Sequence, residues 1–167
     1  MDMAVTTWTP TRDAALARME AFRPSIGARY AKRRNHDLGP GRHDGVSQLS
    51  PWVRRRLVTE RELVDAALAA HGMSAAEKFV QEVFWRTYFK GWLERRPSVW
   101  ADYRAGLAND LDALARDRSL TRRVEAAEAG ETGLDYFDTW AEELVETGYL
   151  HNHARMWFAS IWVFTLG

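Results

Sequence analysis

Helix-starting and helix-ending residues recur along this chain at helix-length intervals, and nothing in it punctuates a strand. Thr9-Pro10 opens a first helix with Leu16, Met19 and Phe22 along one side and Pro24 as its stop. Ser50-Pro51 reads as an N-cap followed by proline at the first helical position. Thr59 with Glu62, and Ser74 with Glu77, have the spacing of capping boxes. Gly72, Gly130 and Gly148 stand where helices should end. Sustained period-2 alternation is absent, and no Asn-Gly or Asp-Gly turn joins two β-rich runs. The pattern predicts helices over 11–22, 27–35, 50–57, 60–71, 75–95, 98–117, 119–128, 134–147 and 150–166. The fold class is therefore all-α, a multi-helix bundle. At 167 residues the chain has length for one core and hardly for two, so a single helical domain over 1–167 is expected.

Composition removes several functions. There is no cysteine, hence no disulfide, thiolate metal site or cysteine nucleophile. Lys plus Arg and Asp plus Glu are 23 each, which excludes a uniformly basic nucleic-acid coat but not a local patch. The first residues lack a basic stretch followed by an apolar run, so no secretory signal is read and a cytoplasmic location is expected. The longest apolar stretch, Met156–Leu166, is 11 residues. A membrane span needs roughly 17–25, so no membrane is expected as a partner. Nine of those 11 residues are apolar, so this helix is hydrophobic all round and needs cover. That points to a piece of a longer protein or to a homo-oligomer formed through the C-terminal helix.

Charge is segregated. Residues 29–61 hold nine Lys/Arg against Asp37, Asp44 and Glu60, whereas 131–146 hold six acids and no base. Each is a solvated face or, for the first, a phosphate-facing surface. The one long non-helical segment, 35–47, carries Gly39, Pro40, Gly41 and Gly45. It leads into Gly45-Val46-Ser47-Gln48-Leu49-Ser50-Pro51, where backbone N–H groups beside two hydroxyls suit a phosphate, or simply cap a helix. Further on, Phe79, Glu82, Arg86 and Phe89 share one helical face, with Val80, Phe84 and Trp92 on another. A carboxylate and a guanidinium among rings is either a Glu82–Arg86 i,i+4 pair at a core edge or a site. In Thr147–Met156, Asn152, Arg155, Met156 and Ala159 share a face. His151 and His153, two apart, should diverge on a helix, so no metal site is expected. Neither a Ser-His-Asp grouping, a P-loop nor a GxGxxG fingerprint is present.

Taken in order, Tyr30, GVSQLSP (45–51), EVFWRTYF (82–89) and TGYLHNHARM (147–156) resemble the FAD-binding helical domain of the DNA photolyase and cryptochrome family. The resemblance covers roughly residues 9–167. It implies FAD as cofactor and damaged DNA as partner, with light-driven repair of pyrimidine dimers as the related activity. Tyr30 and Val46, Ser47, Gln48, Leu49 and Ser50 would hold the flavin diphosphate and ribityl chain, and Phe79 would pack against the cofactor. Glu82 would hydrogen-bond the dimer and Trp85 would stack on it once it is flipped out of the duplex. Arg34 and Arg86 would face DNA. Asn152 would sit beside the redox-active flavin nitrogen, with Arg155 in the cofactor pocket and Met156 against the dimer. Glu82, Trp85 and Asn152 are thus the implied catalytic residues.

This chain departs from the family's pattern at several positions. Val46 stands for Thr, Gln48 for Arg, and Phe79 and Tyr149 replace two tryptophans. Thr87 and His153 replace polar residues on the DNA side. The family's N-terminal antenna domain and the C-terminal segment that closes over the flavin have no counterpart here. Whether the chain holds FAD by itself is therefore open. Three readings stand together: a photolyase-like enzyme domain, a cryptochrome-like light sensor, and a cofactor-free helical module that self-associates.

Overall fold

The computed structural model describes residues 8–166, and among them every regular element is helical. The elements are α1 (Arg12–Phe22), a 3₁₀ turn (Arg23–Ser25), α2 (Ala28–Arg33), α3 (Ser50–Arg54), α4 (Glu60–Glu94), α5 (Pro97–Arg116), α6 (Arg118–Ala129), α7 (Asp135–Thr147) and α8 (Asn152–Ile161), followed by a π-turn (Trp162–Leu166). They fall into two compact units, the first ending at Trp92 and the second beginning at Leu93. Met1 to Thr7, including the start read for a signal, lie outside the described residues.

The first unit has one core. Ala15, Met19 and Phe22 form the buried stripe of α1. They meet Ile26, Tyr30, Leu49, Trp52, Val53, Val58 and the α4 residues Leu63, Ala67, Ala76, Phe79 and Val80. Trp52 is placed by its indole N–H, which donates to the Thr9 carbonyl at 2.8 Å, and by Trp8 edge-on at 5.4 Å. The α1 cap is Thr11, two residues past Thr9, and its hydroxyl accepts from the Ala14 N–H. At the start of α4 the Thr59–Glu62 capping box forms as expected, with Thr59 N–H donating to Glu62 at 2.8 Å and Glu62 N–H to Thr59 at 3.3 Å.

Two start signals read differently in the structure. Leu49, not Ser50, is the N-cap of α3, because Leu49 turns into the core and brings Ser50 into the first helical position beside Pro51. The Ser74–Glu77 box gives way to a forward bond, Gln81 donating to Glu77 at 2.9 Å. The break foreseen at Gly72 is real. Gly72 has φ 67 and ψ 170 inside α4, a conformation with no steric penalty only for glycine, so 60–71 and the following stretch are two helical halves.

In the second unit Asp117 caps α6 by accepting from the N–H groups of Ser119 and Leu120. Gly130 and Gly148 end α6 and α7 in the left-handed conformation expected of them. Asp138 closes the α6–α7 turn, accepting from the Thr132 N–H and hydroxyl and the Gly133 N–H. Burial pushes its carboxyl up, but these bonds together outweigh it and leave the group below its ordinary range. The core is small: Ala127, Phe137, Ala141, Leu150 and Ala154, with Glu143 and His151 also buried. Phe137 stacks on Phe158 at 4.5 Å and meets Trp162 edge-on. The helix expected over 150–166 starts at Asn152 and loosens into the π-turn. Its apolar character stays uncovered, with Met156, Trp157, Val163 and Phe164 exposed.

Candidate functional site

The first unit carries most of the residues singled out by sequence. Gly45 passes so close to α2 that a Cβ there would lie 2.8 Å from the Arg33 carbonyl oxygen. Only glycine lets the 45–50 loop pack this tightly on the end of that helix. Val46 N–H donates back to the His43 carbonyl at 3.2 Å, and Leu49 N–H to the Ser47 hydroxyl at 3.4 Å. The N–H groups of Ser47, Gln48 and Ser50 donate to no acceptor among the described residues. Gln48 has φ 55, an uncommon conformation for a residue with a Cβ. A residue that sequence reasoning passed over holds it there. Arg18, half-buried on α1, donates through Nε to the Ser47 carbonyl at 2.9 Å and through Nη2 to Gln48 Oε1 at 2.7 Å. No motif flags Arg18; it follows only from α1 burying Ala15 and Met19, which turns the residue between them toward the loop.

Tyr30 and Phe79 come together, but inside the core. Tyr30 lies edge-on to Phe79 at 5.2 Å and to Phe22 at 6.2 Å, and both residues are buried. Their ring faces are occupied by protein.

The charged residues of α4 do not pair as the i,i+4 reading has it. Glu82 takes Arg34, at the C-cap of α2, with Nη1 to Oε1 at 2.6 Å. Arg86 lies with Nε 3.4 Å from Glu60 Oε1, without hydrogen-bond geometry, while Arg56 donates to Glu60 at 2.7 Å. The reason is reach. Arg34 reaches Glu82 from the end of α2, and the Gly72 break in α4 lets Glu60, at the start of that helix, come near Arg86 in its other half. Both Arg34 and Glu82 keep part of their surface, at 26% and 40% side-chain exposure. Trp85, one turn from Glu82, is 53% exposed. It stacks on Phe89 at 5.7 Å and meets Tyr88 edge-on at 5.6 Å. A half-bare indole beside a half-bare ion pair is the outward feature of this helix.

In the second unit, Asn152, Arg155 and Met156 do share a face of α8. Asn152 Oδ1 accepts from Arg155 Nη2 at 2.9 Å, and Asn152 Nδ2 lies 4.0 Å from Met156 Sδ. With its oxygen taken by Arg155, the amide is left with its N–H groups as donors, Nδ2 lying toward Met156. The two histidines do not diverge as a continuous helix would force. His151 precedes α8 and caps it, its Nδ1 accepting from the His153 N–H at 3.2 Å, and the rings stack at 5.6 Å. That bond puts the proton of a neutral His151 on Nε2. No group of three potential ligands among the described residues could hold a metal ion. Nor is any helix among them long and apolar enough to cross a membrane.

Comparison with known proteins gives the family of the chain. Residues 79–167, just over half of the chain, match the family described as the FAD binding domain of DNA photolyase. The deoxyribodipyrimidine photo-lyase of Streptomyces griseus is 35% identical over 124 residues, covering 74% of this chain and 26% of the relative. That of Synechococcus sp. is 28% identical over 158 residues, covering 90% and 31%. That of a Thermus thermophilus strain is 32% identical over 155 residues, covering 88% and 33%. This chain thus spans about a quarter to a third of the length of these relatives. No solved structure gives a significant match. A family match over more than half of the chain, falling on the stretch that carries Glu82, Trp85 and Asn152, identifies the chain as a member of the DNA photolyase FAD-binding-domain family.

Proposed function

We propose that this chain is the FAD-holding part of a light-driven lyase acting on pyrimidine dimers in DNA. The observation that carries the reading is Trp85, half exposed, one helical turn from the Glu82–Arg34 pair. The residues also fit the cofactor. Three N–H groups of the 45–50 loop without protein acceptors suit a diphosphate. Tyr30 and Phe79 support that loop and α4 from the core beneath. In the second unit, taken by itself, Asn152 offers an oriented amide N–H and Arg155 a guanidinium, the donors a flavin ring edge needs.

Bound in reduced form and excited by light, FAD supplies one electron to the dimer. The chain's own residues bind and orient. An exposed indole stacks a base turned out of the duplex, at a gain of roughly 1–3 kcal/mol per base. Glu82, paired with a guanidinium, accepts hydrogen bonds, so it suits the imide N–H of a pyrimidine. Arg34 and Arg86 leave positive charge near a phosphate backbone, and residues 29–61 extend it with an excess of six. Damaged DNA is the partner, and a cytoplasmic chain is consistent with the composition. Its relatives carry lyase names, which favours repair over light sensing.

The test is repair of a dimer-containing oligonucleotide under blue light by the chain supplied with reduced FAD. Repair that is lost in Glu82→Ala supports the reading, and no binding of FAD at all removes it. A second reading, self-association through the C-terminal helix, is favoured by the exposure of Val163 (64%) and Phe164 (83%). A mass in solution that rises with concentration supports it.

A further inference from the structure

We propose that Arg18 is a positioning residue for the ligand diphosphate, acting through the peptide it turns. The inference rests on the flavin reading of the 45–50 loop given above. Arg18 Nε takes the Ser47 carbonyl at 2.9 Å, and its Nη2 takes Gln48 Oε1 at 2.7 Å. The guanidinium therefore holds the Ser47 carbonyl and, beside it, the side-chain amide of Gln48. A trans peptide is planar, with C=O and N–H pointing in opposite directions. Pulling the Ser47 carbonyl toward α1 thus drives the Gln48 N–H away from α1, where it meets no acceptor among the described residues.

The backbone shows the same grip. Gln48 has φ 55, and a residue with a Cβ keeps such a conformation only where surrounding bonds dictate it. Here the dictating bonds come from Arg18. α1 itself is immobilised by Ala15 and Met19, buried on either side of Arg18 in sequence. A fixed helix thus holds a fixed guanidinium, which aims one N–H donor and sets a positive charge behind it. Such a donor suits an anionic oxygen, and a diphosphate presents several. Lysine offers a comparable charge but no planar fork, so it cannot hold the carbonyl and the amide together.

The experiment compares the full chain with Arg18→Met, which keeps the apolar stem, and Arg18→Lys. Affinities for FAD, ADP and riboflavin are read by flavin fluorescence and calorimetry, with a urea melt to check folding. Arg18→Met is expected to weaken FAD and ADP by about tenfold and leave riboflavin unchanged, the loss of one charge-assisted contact set. Arg18→Lys should recover only part. The inference is overturned if folded Arg18→Met binds FAD and ADP within about twofold of the parent. It is equally overturned if riboflavin weakens as much as FAD, since that marks general loosening. Failure of the parent chain to bind FAD or ADP overturns the flavin reading itself, a separate and recognisable result.

Discussion

Replacing Gly45 by alanine tests whether the loop and α2 are held by backbone contact. The added Cβ would meet the Arg33 carbonyl oxygen at 2.8 Å, where ordinary contact begins near 3.4 Å. One of the two must yield by about 0.6 Å. Neither side gives easily. The Arg33 carbonyl ends a helix whose next residue, Arg34, is tied to Glu82, and the loop beyond Gly45 is tied to α1 through Arg18. Overpacking of this kind costs roughly 1–3 kcal/mol. With a urea dependence of about 2 kcal/mol per molar, the unfolding midpoint should fall by about 0.5–1.5 M. FAD affinity should fall with it, because any relief of the clash moves the loop or Arg34. The control is Gly27→Ala, whose Cβ would also meet an atom at 2.8 Å, the His71 ring. That ring can swing away by giving up its 2.7 Å bond to the Arg23 carbonyl, a loss of about 1 kcal/mol. A Gly45→Ala midpoint within about 0.2 M of the parent, or a larger loss for Gly27→Ala, would refute the reasoning.

Glu62 gives a pH signature. The Arg12 hydrogen bond first, then the Thr59 N–H and hydroxyl, hold its carboxyl at about 2, well below its ordinary 4.5. A depressed folded value means the stabilisation is complete above 4.5 and fades as pH falls toward 2, so the parent and Glu62→Gln should converge in urea midpoint across that window. A gap between them that stays constant with pH would contradict this. Phe137→Ala, emptying a fully buried position stacked on Phe158, should cost about 3–5 kcal/mol, read by loss of near-ultraviolet dichroism on heating. Trp85→Ala should change stability by less than about 0.5 kcal/mol, since over half of the residue is already exposed. It should nonetheless weaken binding of a dimer-containing oligonucleotide by about tenfold, measured by fluorescence anisotropy.

Much of the fold was legible because helix boundaries are written in local chemistry. Thr59–Glu62, Gly72, Gly130 and Gly148 act through their own turns, and a sequence shows turns. Ser50 misled because capping is decided by which residue the core swallows, and Leu49, 2% exposed, won that place. The α4 face was readable as a face, but its partners were not. Glu82 takes Arg34 from 48 residues away, and helical spacing sees only neighbours three or four apart. Arg18 was invisible for the same reason, reaching 29 residues along the chain to Ser47. His151 and His153 were read on one helix although a helix start separates them. Long-range pairing, not local propensity, is what the site residues depend on.

The kink at Gly72 has a mechanical consequence for α4. Its two halves keep separate hydrogen-bond ladders, so fraying that begins at Glu60 dies out at the kink instead of running toward Trp85. The first turn after Gly72 behaves as a fresh helix beginning in the middle of a 35-residue element. Its amides should exchange with solvent far faster than those around Val80, buried in the core. The interruption works as a firebreak: fraying that starts at Glu60 stops at the kink and does not unwind the half that bears Glu82 and Trp85.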